Sequence, residues 1–250
     1  MAIDSNKSNE DPLAEALWEY FNTDQEAEME VSSDISLPEQ MPASYFFRGL
    51  KQMNAMEKMA MDHSSGRVLD IGAGAGCHSL HLQSKGLEVH SLEPSARLCS
   101  LLRERGIKHV HEDTWQDWKS ELRYDTILML MNGTGMASYL KELPHLLRKV
   151  SSLLTPNGRI LLDSSDISYL YFLEDGSMMM DLGGSKQGEI IYTIRYKDEE
   201  MSFPWLFVKQ EELKAACKSV GLQLDVIQEL EESYLAELTF LSPRIPSSSL

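Results

Sequence analysis

Apolar and polar positions along the chain change their spacing close to residue 65. Before that point, two stretches, PLAEALWEYFN and ASYFFRGLKQMNAMEKMAMDH, repeat apolar residues at helical intervals. An acidic run broken by Pro38 and Pro42 separates them. Apolar residues that recur every three or four positions form one face of a helix. We therefore predict an N-terminal helical cap or lid segment over residues 1–62.

From Gly66 onward, apolar runs of strand length alternate with helical stretches. The predicted helix after the fourth run is interrupted by Pro144. Strict alternation of strands and helices is typical of a parallel sheet with helices on both faces. The predicted fold class is therefore α/β, with a doubly wound and mostly parallel sheet. The five predicted strands are RVLDIG, LEVHSLEP, IKHVHED, YDTILMLMNGTG and RILLDSSD.

After Asp166 the pattern becomes that of antiparallel strands. Residues 188–208 alternate about the polar turn KDEE, which predicts a β-hairpin insertion. A short helix follows, and the run LQLDVIQELEESYLAELTFLSP predicts two edge strands that bring the sheet to seven. The main domain is then predicted over residues 63–242, with a tail at 243–250.

Composition and charge limit the kinds of partner and the cell compartment that we expect for this protein. The formal net charge of −16 repels phosphate backbones, so a nucleic-acid partner is not expected. Cys77, Cys99 and Cys217 are few and far apart, which indicates a reducing compartment rather than a disulfide framework. No basic-then-apolar signal and no apolar run of membrane-spanning length occurs. We expect a cytoplasmic protein without a membrane partner.

The stretch RVLDIGAGAGCHSL combines an aspartate at the end of an apolar strand with a glycine turn. Gly72 and Gly74 allow the backbone to lie against a ligand, as in a dinucleotide site, and Glu93 suits a ribose. However, Cys77 occupies a position where that motif needs glycine or alanine, and Asp70 would oppose a pyrophosphate. Because Gly72, Gly74 and Glu93 fit the dinucleotide motif, a nicotinamide-dependent oxidoreductase remains an alternative interpretation.

A cofactor that carries positive charge removes this conflict. The sequence LDIGAGAG closely resembles the first motif of the class I S-adenosylmethionine-dependent methyltransferases, an acid followed by Gly-x-Gly-x-Gly. The resemblance covers roughly residues 65–165 and implies a Rossmann-like fold. It also implies an enzyme that methylates a small-molecule acceptor and leaves S-adenosylhomocysteine. A non-catalytic cofactor-binding protein of the same fold is a further alternative.

The resemblance also implies roles for individual cofactor-binding residues. Asp70 would act near the amino group of the cofactor, and Glu93, next to Pro94, would accept hydrogen bonds from the ribose hydroxyls. Asp113 would take the adenine amine, with Thr114 or Trp115 beside the ring. The residues that would line the methionyl and ribose parts are Gly72, Ala73, Gly74 and Gly76, and those near the sulfonium are Asn132 and Gly133.

The acceptor site is less well defined by the sequence. Methyl transfer needs alignment more than an obligatory base, so no catalytic residue is assigned. Candidates near the acceptor are Asn132, Tyr45 and Asp163. Tyr45 and Arg48 are the preferred lid residues, and Arg48 would meet the methionine carboxylate. Asp163 and Asp166 would suit a cationic acceptor.

Several histidines raise the question of a metal site. His78 and His81 lie one helical turn apart, and His109 and His111 share a strand face. No cysteine or carboxylate set with ligand spacing accompanies them, so no metal is predicted. We expect His78 and His81 to pack beside the sheet. The oligomeric state is left open by the sequence.

Overall fold

A computed structural model of the protein describes residues 11–171 and 187–241. The predicted tail at 243–250 and the first ten residues lie outside the described residues. In chain order the elements are α1 (Pro12–Thr23), β1 (Glu28–Ser33), β2 (Ser36–Pro42), α2 (Ala55–His63), β3 (Arg67–Ile71), α3 (Cys77–Ser84), β4 (Glu88–Glu93), α4 (Ala96–Glu104), β5 (His109–Glu112), β6 (Tyr124–Met129), α5 (Leu143–Ser151), β7 (Leu154–Ser165), β8 (Glu189–Tyr196), β9 (Glu199–Leu206), α6 (Gln210–Ser219), β10 (Leu222–Leu230) and β11 (Ser233–Phe240).

The central sheet has seven strands in the order β10-β11-β7-β6-β3-β4-β5. The strands from β7 to β5 pair in parallel, and β11 runs antiparallel to both β7 and β10. The predicted α/β class and the predicted seven-stranded, mostly parallel sheet are therefore confirmed. Strand β6 is the central strand of the seven and is buried on both faces, as its nearly continuous apolar run indicates.

Helices cover both faces of this sheet and close its core. On one face α2 and α3 bury Met56, Ala60 and Leu82 against the strands. On the other face α5 and α6 bury Leu146 and Leu213. Helix α5 carries its apolar residues three and four positions apart, so one stripe faces the sheet and the charged residues face solvent.

The sequence pattern predicts that Pro144 interrupts a helix. In the structure, Pro144 instead lies at the start of one. Helix α5 starts at Leu143, and Pro144 occupies its first turn. A proline is tolerated there because the first N–H groups of a helix have no partner within the helix. The residues before it, Leu140–Glu142, form a separate 3₁₀ turn.

A second sheet lies beside the first, with the antiparallel order β2-β1-β8-β9. Its β8–β9 half is the predicted hairpin, and its β1–β2 half lies in the acidic run between the two helical stretches predicted for the N-terminal segment. This corrects the helical cap: helices α1 and α2 are present, but two strands lie between them. Met29 and Val31 are buried, whereas Glu28 is exposed and Glu30 half-buried, so β1 follows the two-residue period of a half-buried strand. Strand β2 accommodates Pro38 because it lies at the edge of its sheet.

The N-terminal segment and the hairpin form one packed unit with the central domain. Leu17 of α1, Met29 of β1, Ile194 of β8 and Leu98 of α4 share a hydrophobic cluster that also contains Ala75. The predicted boundary at residues 62 and 63 therefore separates strands that pair with each other, such as β1 and β8. Within the described parts of the chain, no helix combines the length and apolar character needed to cross a membrane.

Candidate functional site

The site lies where the strand order of the central sheet changes direction. Strand β3 is flanked by β4 on one side and by β6 on the other. The loops at the carboxyl ends of these strands leave in opposite directions, which creates a crevice typical of ligand sites in α/β sheets. The crevice brings together the segments that follow β3, β4, β6 and β7.

The glycine turn after β3 is open toward the crevice and closed toward the core. Gly72, Gly74 and Gly76 have φ values of +73°, +54° and +81°, which side chains disfavour. A Cβ on Gly76 would lie 2.6 Å from a side-chain carbon of Leu102, whereas a Cβ on Gly74 would meet nothing within 4 Å. The turn therefore packs on one side and leaves space for a ligand on the other.

Glu93, at the end of β4, is bonded directly to this turn. Its Oε2 accepts a hydrogen bond of 3.0 Å from the Gly74 N–H, and its Oε1 accepts one of 3.1 Å from the Ser95 N–H. Burial raises the pKa of Glu93 to about 7, although these two backbone donors act in the opposite direction. Pro94 next to it is exposed. The structure thus unites Glu93 with the glycine turn, as the sequence predicts.

Asp70 is buried inside the strand rather than exposed at the turn. Its Oδ2 accepts a 2.6 Å hydrogen bond from the Ser79 hydroxyl of α3, which also lies 2.7 Å from the Ser91 hydroxyl of β4. Burial raises the pKa of Asp70, and the nearby His78 acts to lower it. A polar link between three elements therefore fixes the base of the glycine turn.

The loop after β6 is held by a carboxylate at the end of β7. Asn132 adopts a left-handed conformation, with φ +59°. Its N–H donates to Asp163 Oδ1 over 3.0 Å, and its side-chain oxygen accepts from the Ser165 hydroxyl over 2.9 Å. Burial raises the pKa of Asp163 to about 6, against the N–H groups of Asn132 and Gly133. Two acceptor-side candidates, Asn132 and Asp163, are thus in direct contact.

The hairpin closes over the same loop through Trp205. A Cβ added to Gly135 would lie 1.9 Å from the indole ring of Trp205, so the ring rests directly on this glycine. The hydroxyl of Thr134 donates to the carbonyl oxygen of Leu206 over 3.0 Å and lies 2.8 Å from the Ser164 hydroxyl. Trp205 is half-buried and packs the hairpin onto the loop after β6.

The segment after β5 approaches the crevice through Met136. Trp115 Nε1 donates to the Met136 carbonyl oxygen over 3.2 Å, and the Met136 sulfur lies 3.8 Å from the Cβ position of Gly72. Asp113 is half-buried and accepts from the neighbouring Thr114 N–H over 2.8 Å. Trp115 therefore lies near the turn, and Met136, which the sequence analysis did not select, bridges the two.

Of the two predicted lid residues, Arg48 belongs to a buried cluster, whereas the Tyr45 side chain beside it is exposed. The Arg48 guanidinium pairs with Glu57 of α2, donates to the Tyr45 carbonyl oxygen and lies 4.0 Å from the centre of the Tyr45 ring. His78 Nε2 also contacts the Glu57 carboxylate, over 2.7 Å. His78 was expected to pack beside the sheet; instead it joins this polar cluster because α2 places a carboxylate against the start of α3.

The sequence contains a pattern that involves Glu57, but this pattern alone does not identify Glu57 as a site residue. Glu57 forms a capping box with Asn54, since each accepts a hydrogen bond from the backbone N–H of the other. That pattern indicates a helix start and gives no reason to select the carboxylate as part of a site. Arg105 was missed in the same way: it donates to the Ala75 carbonyl oxygen and lies 4.6 Å from the centre of the Phe47 ring.

A cavity of about 620 Å³ lies between the second sheet and the carboxyl end of β7. Ser165, which is bonded to Asn132, is part of its wall, so the cavity adjoins the crevice. Asp166 lies just beyond it, with its N–H bonded to the Glu232 carbonyl oxygen over 2.8 Å. The other residues of the wall are Val31, Ser32, Ser33, Ser36, Leu37, Glu39, Ile167, Tyr169, Leu170, Ile190, Tyr192, Phe207, Glu231, Glu232 and Ser233.

The histidines of β4 and β5 stack at the far edge of the sheet. His90 lies between His109 and His111, with ring centres 4.5 Å and 5.1 Å apart. Burial lowers the pKa of His111 to about 4, with the neighbouring histidines acting in the same direction. Across residues 11–171 and 187–241, no group of three or more histidine, cysteine or carboxylate side chains has the arrangement of a metal site.

Comparison with known proteins gives a consistent result. The family described as a methyltransferase domain matches residues 43–227. The solved structure of an S-adenosylmethionine-dependent methyltransferase from Bacteroides fragilis, in complex with S-adenosyl-L-homocysteine, is 35% identical with a TM-score of 0.85. The alignment covers 94% of this chain and 96% of that chain.

Two curated relatives are similar over shorter or more divergent stretches. A glycine/sarcosine N-methyltransferase of Halorhodospira halochloris is 32% identical over 104 residues, which is 39% of each protein. The chain therefore spans less than half the length of that enzyme. An uncharacterized methyltransferase of Staphylococcus carnosus is 24% identical over 70% of this chain and 79% of its own length.

Proposed function

This chain belongs to the class I S-adenosylmethionine-dependent methyltransferases, and from that premise we propose that it methylates a small-molecule acceptor at the carboxyl ends of its central strands. The observation that carries the proposal is the glycine turn, which is open on its crevice side at Gly74 and bonded to a buried Glu93. Carboxyl groups at such a turn oppose a phosphate and suit a cationic cofactor with ribose hydroxyl donors.

The residues at the turn fit S-adenosylmethionine. Gly72 is exposed and Gly74 has open space beside it, so the backbone can lie against a ligand. Glu93 would accept from the ribose, and Asp70 would act toward the amino group. On the adenine side Asp113, Thr114 and Trp115 would line the site; the remaining cofactor contacts would come from Ala73, Gly76, Pro94, Asn132, Gly133 and Arg48.

The chain's contribution to catalysis is alignment and exclusion of water. When bound, S-adenosylmethionine supplies a methyl group already activated by its sulfonium. The Asn132–Gly133 loop, fixed by Asp163, forms the wall next to the reacting atoms. Trp205 of the hairpin packs on Gly135, which follows that loop, and Tyr45 of the N-terminal segment packs on Arg48. Correct positioning alone supplies a large share of the rate in a displacement of this kind.

The cavity beside Asn132 favours a small and cationic acceptor. A volume of about 620 Å³ lies in the range of small-molecule sites. Glu39, Glu231 and Glu232 line it, and among its described wall residues there is no lysine, arginine or histidine. An amine acceptor would meet these carboxylates and Asp163. The similarity to a glycine/sarcosine N-methyltransferase also supports an amine acceptor.

Transfer of a labelled methyl group separates a small acceptor from a macromolecular one. The full-length protein is incubated with methyl-labelled S-adenosylmethionine and an extract of the source cells, which is then divided by ultrafiltration. We expect the label in the low-mass fraction, in a product that carries a positive charge in mild acid. Label confined to protein or nucleic acid would replace this proposal by a macromolecular acceptor.

The two alternatives that the sequence left open are not supported. Membership of a methyl-transferring enzyme family speaks against both the nicotinamide-dependent oxidoreductase and the non-catalytic protein. The labelled-methyl transfer above tests the non-catalytic alternative, and the oxidoreductase is tested by calorimetric titration with S-adenosylhomocysteine and, separately, with a nicotinamide dinucleotide. We expect heat with the first ligand alone. A cytoplasmic location and the absence of nucleic-acid and membrane partners remain predictions from the sequence.

A further inference from the structure

Glu57 is a buried carboxylate whose hydrogen-bonding capacity is fully used by the protein. Its Oε1 accepts from Arg48 Nη2 and from His78 Nε2, and its Oε2 accepts from Arg48 Nε and from the Asn54 N–H. Burial would raise the pKa of Glu57, but the hydrogen bonds from His78 and Arg48 lower it well below its usual range. Glu57 is therefore an anion that holds two cations, with no free lone pair directed at a ligand.

The two cations come from separate parts of the chain. Arg48 follows the 3₁₀ turn of the N-terminal segment, whereas His78 is the second residue of α3 and follows the glycine turn. All three side chains of the cluster are nearly inaccessible, with 5–7% of each exposed. Glu57 thus fixes the N-terminal segment to the helix that begins at the cofactor turn.

Two of the five N–H groups of Arg48 have no hydrogen-bond acceptor among the described residues. A guanidinium has five N–H groups. Glu57 takes one from Nε and one from Nη2, and the Tyr45 carbonyl oxygen takes one from Nη1. One N–H on each Nη atom remains without a named partner among the described residues. Such a pair of N–H groups matches the geometry of a carboxylate.

The surroundings of Arg48 belong to the crevice. Its guanidinium stacks on Tyr45, whose pKa is raised by burial and by the carboxylates of Glu57 and Asp163. Asp163 in turn holds the Asn132–Gly133 loop, where the sulfonium is proposed to lie. His78, the second residue of α3, follows Gly76 of the glycine turn by two positions and contacts Glu57, so the cluster lies beside the turn that would receive the amino-acid part of the cofactor.

We propose that Glu57 is a positioning residue for the cofactor: it orients Arg48 so that the guanidinium receives the cofactor's carboxylate, while His78 ties Glu57 to the start of α3. This inference rests on the proposed cofactor site and adds to it a residue that contacts no ligand. A purely structural cluster would hold the N-terminal segment in place without distinguishing between ligands that have or lack a carboxylate.

Two ligands that differ only in this group separate the possibilities. S-adenosylmethionine and its decarboxylated form are titrated calorimetrically into the full-length wild type, Glu57→Gln and Glu88→Gln. Glu88 is a matched control, since it also pairs with an arginine, Arg67, but at the amino end of β4. We expect the wild type and Glu88→Gln to prefer the carboxylated ligand by about tenfold or more. In Glu57→Gln this preference should fall to about twofold or less, with affinity for the decarboxylated form unchanged.

Conservative variants keep the test decisive if Glu57→Gln does not fold. Glu57→Asp keeps the negative charge on a shorter side chain. Arg48→Lys keeps the positive charge but removes the paired N–H groups of the guanidinium. Both should lose part of the preference for the carboxylate, and melting curves establish that they are folded. Equal loss of both ligands, or an unchanged preference in all variants, overturns the inference. Failure of the wild type to bind either ligand instead overturns the proposed cofactor site.

Discussion

Glu93 and Gly74 are joined by a hydrogen bond of 3.0 Å from the glycine N–H to Oε2 of the carboxyl group. This bond connects the end of β4 to the open part of the glycine turn, so a buried acid and the ligand-facing backbone form one unit. The same glutamate would serve the ribose, and its protonation therefore affects both the stability of the fold and the affinity for the cofactor.

The first prediction concerns the pH dependence of stability. Burial raises the pKa of Glu93 from 4.5 to about 7 in the folded protein. The folded state then holds the proton more tightly than the unfolded state, so this stabilisation is complete below about pH 4.5 and is lost as the pH rises through 7. Glu93→Gln cannot ionise. We expect its free energy of unfolding, relative to wild type, to increase by about 3 kcal/mol between pH 5 and pH 8.

Urea unfolding at several pH values measures this difference directly. An exposed carboxylate, Glu104 at the end of α4, provides the control as Glu104→Gln. The control should differ from wild type by a constant amount across the range. A constant difference for Glu93→Gln as well would mean that Glu93 titrates normally in the folded protein.

The sequence predicts the central domain well because its signals are local. Each strand of the parallel sheet is a short apolar run, and each is followed by a helix or a turn within a few residues. The glycine turn and Glu93 are also identifiable, since both lie at strand ends where α/β ligand sites form. These features need no knowledge of distant parts of the chain.

The second sheet and the Glu57 cluster depend on distant contacts. Val31 pairs with Ile194, about 160 residues along the chain, and an acidic composition hides the two-residue period of β1. Glu57 has its partners on the N-terminal segment and on α3, which no spacing rule connects. Such residues become recognisable only when the fold has brought their partners together.

The second prediction tests the contact between the hairpin and the loop after β6. Gly135→Ala would place a methyl group inside the Trp205 ring position, so the hairpin must shift. We expect a loss of about 2 kcal/mol in the free energy of unfolding. In a Trp205→Ala background the same change should cost much less, because the obstructing ring is absent.

Chemical denaturation of the wild type, Gly135→Ala, Trp205→Ala and the double variant gives the coupling free energy between the two positions. Gly49→Ala is a suitable control, because its Cβ would meet only the Gln52 side-chain oxygen at 3.6 Å. We expect little change there. Additive effects of Gly135→Ala and Trp205→Ala would show that the two residues are not in contact in solution.

The third prediction concerns the charge of Asp70. Asp70→Asn keeps an acceptor for the Ser79 hydroxyl while removing the negative charge proposed to act toward the cofactor's amino group. Since burial already raises the pKa of Asp70, removing the charge should cost little stability. We expect the Kd for S-adenosylhomocysteine to rise about tenfold and the Kd for 5′-methylthioadenosine, which lacks the amino-acid part, to stay within about twofold.

Asp125→Asn is the matched control for that measurement. Asp125 also accepts hydrogen bonds on a neighbouring strand, from the Arg67 N–H and the Thr155 hydroxyl, but near the amino end of β6. Its replacement should leave both dissociation constants unchanged. An Asp70→Asn protein that binds S-adenosylhomocysteine like the wild type would remove Asp70 from the cofactor site.

The last prediction tests the open face of the glycine turn with two alanine variants. Gly74 and Gly86 both have positive φ, +54° and +88°, and in both cases a Cβ would meet nothing within 4 Å. Each alanine should therefore cost about 1 kcal/mol of stability through backbone strain alone. Gly86 follows α3 at the far end of that helix, whereas Gly74 lies in the glycine turn, with its N–H bonded to Glu93. Gly74→Ala should accordingly weaken S-adenosylhomocysteine binding at least about tenfold, while Gly86→Ala leaves it unchanged, as measured by calorimetry. Equal affinities in the two variants would show that the space beside Gly74 is not occupied by the cofactor.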